Sequence, residues 1–168
     1  MFDEVVKEVN RLTQPRRISI SLPLDEKGFF DRACPKKECR GAFKVLFEDW
    51  RDKVADDRVF CPFCRNEAPA DEWNTEAQVR HIRSVAGAEM SRLVNDAVRR
   101  GVERSRPVRI GGGPIGLTMT LGYRPGAVPA IVPAEATAEL RQEFACEACG
   151  CRYASLGASF FCPACGHN

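Results

Sequence analysis

Apolar positions change their period along the chain, and each change marks a new element. In "FDEVVKEVNRL" (2–12) Phe2, Val5, Val6, Val9 and Leu12 recur every three or four residues, which predicts a short amphipathic helix ended by Pro15. "RISISLPL" then alternates Ile18, Ile20, Leu22 and Leu24, the period of a strand. "FKVLF" (43–47) and "RVF" (58–60) read as two more strands. Helical spacing returns in "WNTEAQVRHIRSVAGAEMSRLVNDAVRRG", where Thr75 and Gln78 form a capping box and Gly101 supplies a stop. Val79, Ile82, Ala86, Met90, Leu93 and Ala97 give this helix one apolar stripe, expected to pack on a core. Beyond it Ile115, Leu117, Met119, Leu121 and Tyr123 alternate as a strand. "RPGA" turns the chain, and "AVPAIVPA" predicts an edge strand, because its prolines cannot donate to a ladder.

The chain has 168 residues, 44% hydrophobic and 29% charged, a globular composition sized for one ordinary domain or two very small ones. No apolar run approaches the ~20 residues needed to span a bilayer. The N-terminus carries acids where a secretory signal needs a basic and then an apolar region, so a cytoplasmic location without membrane attachment is expected. In a reducing compartment paired cysteines hold metal more often than they form disulfides.

Eight of the nine cysteines fall into tight local pairs: Cys34/Cys39, Cys61/Cys64, Cys146/Cys149 and Cys162/Cys165. "RVFCPFC" (58–64) and "SFFCPACG" (159–166) are near-copies. The first two pairs and the last two each offer four thiolates, the donor set of a tetrahedral zinc site. Proline after the first cysteine (Pro35, Pro62) preorganises the turn around the metal. A residue tolerant of positive φ is needed near the second, and Gly41 and Asn66 stand nearby in the first unit, Gly150 and Gly166 in the second. Cys151 is an alternative ligand to Cys149, since Cys146 to Cys151 repeats the spacing of Cys34 to Cys39; Gly150 favours Cys149. His167 is expected in solvent. Four thiolates close a metal's shell, so two structural zinc ions and no catalytic residues are expected.

"GFFDRACPKKECRGAFKV", "FCPFCRNEAPADEWNTEAQV" and "FACEACGCRYASLGASFFCPACGHN" resemble zinc ribbons, and more specifically a group of bacterial twin zinc-ribbon proteins with no settled activity. The resemblance covers about 33–66 and 144–167 and implies zinc binding and a ribbon fold, without a reaction. Arg65 departs from it, standing where ribbons carry glycine.

Other motifs carry less. "GGGPIG" (111–116) fits G-x-G-x-x-G, but Pro114 and a following strand deny it the helix that phosphate binding needs, so it is read as a turn. With two histidines in the chain, no Ser-His-Asp or Cys-His arrangement is argued around His81. A thiol-redox role would rest on Cys151 alone. The formal charge is +2, and two four-thiolate zinc sites, each adding +2 and −4, bring it to about −2. Positive charge concentrates in "RRGVERSRPVR", where Arg99, Arg100, Arg104, Arg106 and Arg109 are candidate phosphate contacts.

The expected fold is small α+β: two four-cysteine zinc ribbons joined by a long helix and a β-rich connector. Its segments are an N-terminal helix (1–17), a first ribbon (18–74), the long helix (75–104), the connector (105–140) and a second ribbon (141–168). The expected function is a non-enzymatic recognition or scaffolding module with a protein or nucleic-acid partner and no small-molecule substrate. The alternative is a nucleic-acid-binding protein using Arg99–Arg109. Because the chain stops three residues after Cys165, a longer native protein with this part as its sensor or targeting region is also open.

Overall fold

The computed structural model describes residues 2–15, 17–112, 116–137 and 142–168. In chain order its elements are α1 (Asp3–Asn10), β1 (Phe29–Ala33), β2 (Ala42–Leu46), α2 (Phe47–Lys53), β3 (Val59–Phe60), β4 (Glu67–Ala68), α3 (Glu76–Arg104), β5 (Val108–Ile110), β6 (Leu117–Met119), β7 (Gln142–Ala145) and β8 (Arg152–Ser155). Single 3-10 turns cover Arg11–Thr13 and Ala70–Trp73. They fall into two units, Ser21–His81 with Pro133–Asn168, and Met1–Ile20 with Ile82–Val132.

The first of these is built on a four-stranded antiparallel sheet in the order β1-β2-β8-β7. Its two hairpins meet strand to strand, with Phe43 opposite Ser155, Lys44 opposite Ala154 and Val45 opposite Tyr153. Exchanging the hairpins carries Phe43 to Tyr153 and Val45 to Ser155, so a local two-fold passes through the Lys44–Ala154 pair. The two cysteine units, expected as separate ribbons joined by the long helix and the connector, therefore share one sheet. The reason is that a lone two-stranded hairpin is marginal in water, whereas four strands make a face worth burying.

One face of that sheet carries Phe30, Phe43, Val45 and Tyr153 into a core completed by Val59 and Trp73. Trp73 meets Phe43 edge to face at 5.7 Å and donates its indole N–H to the Ala68 carbonyl at 3.2 Å. On the opposite face Phe29, Leu46 and Ala154 cluster beside a buried Lys44, whose ammonium lies 2.7 Å from Asp25. The outer edge of β1 is occupied: Asp25 exchanges hydrogen bonds with the Phe29 backbone, and Gln78 donates to the Asp31 carbonyl at 2.9 Å. Gln78 also closes the expected capping box, its N–H donating to Thr75 Oγ1 at 3.2 Å while Thr75 N–H donates to Gln78 Oε1 at 3.0 Å.

In the other unit α1 lies against the last turns of α3. A Cβ on Gly101 would come within 2.5 Å of the Val5 backbone, so only glycine admits this approach. Glu8 is buried between the helices and accepts from Arg11, Arg100 and Arg104. Residues 123–132 run back along α3 as an extended strap pinned by two side chains. Asn95 accepts from Tyr123 Oη and Gly126 N–H, and Ser84 Oγ accepts from Val132 N–H at 2.9 Å.

Several expected elements differ. Residues 18–24 form no strand; their alternation is real, but nothing pairs with them among the described residues. β1 was hidden because "FFDRA" buries both of its faces, Asp31 and Arg32 included. "AVPAIVPA" is part of the strap and not an edge strand, since side chains and not a ladder hold it. The strand expected over 115–123 is confined to Leu117–Met119, with Ile115 outside the described residues. The glycine-rich turn lies partly outside them too, at 113–115. α3 runs through Gly101 to Arg104, because that glycine serves contact with α1 and not a stop. Its apolar stripe is incompletely covered: Met90 is 50% exposed.

Candidate metal centres

Each cysteine pair sits in a tight turn, and three of the four turns cap a hairpin. Cys34 and Cys39 lie between β1 and β2, Cys61 and Cys64 between β3 and β4, and Cys146 and Cys149 between β7 and β8. The ladders close in matching ways: Cys34 N–H donates to Gly41 O, Cys61 to Asn66 O, Cys146 to Cys151 O and Cys162 to His167 O, all at 2.9 Å. After the second cysteine the chain turns left-handed every time, at Arg40 (φ 46°), Arg65 (57°), Gly150 (68°) and Gly166 (68°). In the first unit it is the two arginines, and not Gly41 or Asn66, that take this conformation. The turn aims backbone N–H groups at sulfur, as Phe63 N–H does toward Cys61 Sγ at 3.4 Å.

The turns bring the sulfurs together in fours: Cys34, Cys39, Cys61 and Cys64 in one group, Cys146, Cys149, Cys162 and Cys165 in the other, all within 4.8 Å of one another. The closest separations are 3.8 Å (Cys34–Cys64), 3.7 Å (Cys39–Cys61), 3.7 Å (Cys146–Cys165) and 3.6 Å (Cys149–Cys162). A tetrahedron with zinc–sulfur bonds of ~2.3 Å has an edge of ~3.8 Å, whereas a disulfide needs ~2.05 Å. Each cluster therefore has the size and donor chemistry to hold a soft divalent ion.

Four thiols this close cannot all ionise without a cation. Burial pushes Cys61 up to about 11 despite N–H donors from Cys64 and Phe63, and pushes Cys34 higher still. In the other cluster burial opposes ionisation of Cys146, but N–H groups of Cys149 and Ala148, with the Cys149 and Cys162 thiols, bring it down to about 7. Contact with the Cys151 thiol, together with burial, holds Cys162 well above the usual thiol range. A bound cation would favour the thiolate throughout.

Cys151 stays outside the second cluster. It is fully buried and occupies the hairpin position that Gly41 takes in the first. His167 is exposed and contributes its carbonyl to the turn.

A clasp between the two Cys-Pro-x-Cys turns was not foreseen. Phe60 N–H donates to the Pro163 carbonyl at 2.9 Å, and Phe161 N–H donates to the Pro62 carbonyl at 3.2 Å. Equivalent atoms of the two near-copies thus bind each other, and Pro62 and Pro163 are both fully buried. The repeat itself was the available signal, since two like surfaces can pair about a two-fold.

The arginines behave differently from a phosphate cradle. Arg99 is paired with Asp96 at 3.2 Å and Glu103 at 3.4 Å, while Arg100 and Arg104 both bind Glu8. Arg106 and Arg109 are exposed. Among the described residues no helix is long and apolar enough to cross a membrane.

Comparison with known proteins finds no match: no family model, no curated protein and no solved structure aligns with the chain. The likeness to ribbons rests on the cysteine turns themselves.

Proposed function

We propose that the chain is a non-enzymatic recognition or scaffolding module of zinc-ribbon type, held in shape by two structural zinc ions. Cys34, Cys39, Cys61 and Cys64 would bind one, and Cys146, Cys149, Cys162 and Cys165 the other. The observation that carries this reading is the spacing of the sulfurs, which matches the edge of a zinc–thiolate tetrahedron twice over. When bound, zinc supplies charge neutralisation and a covalent-strength cross-link; four thiolates leave it no open position for water or substrate. The chain's own part is to aim backbone N–H groups at the sulfurs and to bury them under a shared apolar core.

Two measurements test it. Elemental analysis of purified protein should find two zinc ions per chain, and cobalt substitution should give the absorption of a tetrahedral four-thiolate site. Less than one ion per chain, or circular dichroism unchanged by a strong chelator, would overturn the reading. The nucleic-acid alternative has less support, because Arg99, Arg100 and Arg104 already hold carboxylates. It would return if RNA or DNA bound with a steep salt dependence lost on Arg106→Ala and Arg109→Ala.

A further inference from the structure

β5 and β6 pair as a two-stranded antiparallel ribbon, with Val108 opposite Met119, Arg109 opposite Thr118 and Ile110 opposite Leu117. Alternation along each strand sends Val108, Ile110, Leu117 and Met119 to one face and Arg109 and Thr118 to the other. The register thus makes the four apolar side chains one contiguous patch. That patch is open: Val108, Ile110, Leu117 and Met119 are 37%, 54%, 64% and 44% exposed. On the back face the Arg109 side chain crosses toward the start of β6, its Nε lying 2.8 Å from where a Cβ on Gly116 would stand. A ribbon of two short strands is marginal in water, and this one keeps its apolar face uncovered. In the same unit Phe2, Val6 and Val9 of α1 and Met90 and Val94 of α3 also face solvent.

We propose that this ribbon docks on the surface of a bilayer rich in anionic phospholipid, its apolar face toward the acyl chains and its arginines among the phosphates. Charge selects this occupant. The unit holding the ribbon, Met1–Ile20 with Ile82–Val132, carries twelve basic residues against six acidic ones. Four of those acids are already met: Glu8 by Arg11, Arg100 and Arg104, Glu89 by Arg92, and Asp96 and Glu103 by Arg99. Arg106 and Arg109, in the ribbon's own segment, form no ion pair among the described residues. A nucleic acid would use these cations but leave four aliphatic side chains in water, and the face has no aromatic ring for a base to stack on. A protein partner of standard size engages about 20–30 residues a side, far more than this patch offers. A lipid surface uses both features at once, because apolar burial and attraction to acidic headgroups add in interfacial binding. At that depth the free strand edges keep hydrogen bonds to water and headgroups, which the hydrocarbon core would deny them.

The proposal goes beyond the metal-site reading and does not depend on it. A surface ribbon needs neither a spanning run nor a secretory signal, the two features on which the expectation of no membrane attachment rested. The full chain should sediment with vesicles of phosphatidylcholine containing ~30% phosphatidylserine, and be released as salt rises. Vesicles of phosphatidylcholine alone should hold it at least ~10-fold more weakly. Ile110→Ser with Leu117→Ser should weaken binding to the mixed vesicles at least ~10-fold without changing the charge, and Arg106→Ala with Arg109→Ala by a similar factor. All four positions are exposed, so circular dichroism and metal content should match wild type in both variants. Absence of binding at low salt overturns the proposal. Binding that the serine pair leaves intact also overturns it, since that is charge attraction alone. Retention by an oligonucleotide or an acidic peptide in place of the vesicles would reassign the arginines and overturn it too.

Discussion

Arg40 and Arg65 hold a backbone conformation that costs a side-chain-bearing residue about 1–2 kcal/mol and glycine almost nothing. Gly150 and Gly166 fill the same place in the second pair of turns without that cost. Arg65 has some compensation, its guanidinium lying 5.5 Å from the Phe161 ring centre. Arg40 is exposed, so it is the cleaner test. Arg40→Gly is expected to stabilise the metal-loaded protein by about 0.5–1 kcal/mol, and Gly150→Ala to destabilise it by about 1–2 kcal/mol, both read from denaturant melts. A loss of stability in Arg40→Gly would mean that this side chain does something the geometry omits. At this scale the grouping of the cysteines was legible, because thiol chemistry and spacing are local, but the choice between Cys149 and Cys151 was left to the structure. The left-handed arginines were not, because a closed turn overrides residue preference only once its neighbours fix it.

Between elements, one carboxylate ties α2 to β8. Asp49, 3% exposed, accepts from Arg152 N–H at 2.7 Å, from Arg152 Nε at 2.9 Å and Nη2 at 3.1 Å, and from Lys53 at 2.9 Å. The Arg152 guanidinium, against the opposing effect of burial, keeps this carboxyl well below the usual range. A depressed carboxyl stabilises the fold fully above its unfolded value and loses that contribution as pH falls toward its folded one. Asp49→Asn should therefore cost about 1.5–3 kcal/mol at neutral pH. The gap from wild type should stay flat from about pH 8 to 5 and close below about pH 4, as followed by melts across pH. A gap that widened in acid would contradict this assignment. Periodicity located α1 and α3 because their apolar residues recur every three or four positions, a local pattern that does not depend on which face is buried. It missed β1, β7 and β8: β1 buries both of its faces, charged side chains included, and β8 takes its second partner, β2, from more than a hundred residues away.

At the scale of the molecule, both clusters lean on the same structure. Cys34, Cys61, Cys146 and Cys162 belong to one apolar core with Phe43, Val45 and Trp73, and the Phe60–Pro163 and Phe161–Pro62 hydrogen bonds join the turns directly. The two sites should consequently load together. Cys61→Ser and Cys162→Ser, each changing one ligand of one cluster, are each expected to weaken metal binding at the intact cluster at least ~10-fold in a chelator competition. That corresponds to ~1.4 kcal/mol of coupling, an ordinary magnitude for linked sites. Independent affinities would show that the shared sheet persists without one of the ions.

The sequence by itself determined two sets of four cysteines in local turns and a capped long helix. Those features depend on residues a few positions apart, where spacing is destiny enough. Only the tertiary structure decided that the two cysteine units share one sheet and one core, that the arginines answer a buried glutamate, and that the apolar faces of α1 and α3 stay uncovered. Each of these is a choice of partner across the fold, and the energy of burying a face depends on what meets it, which no local pattern contains.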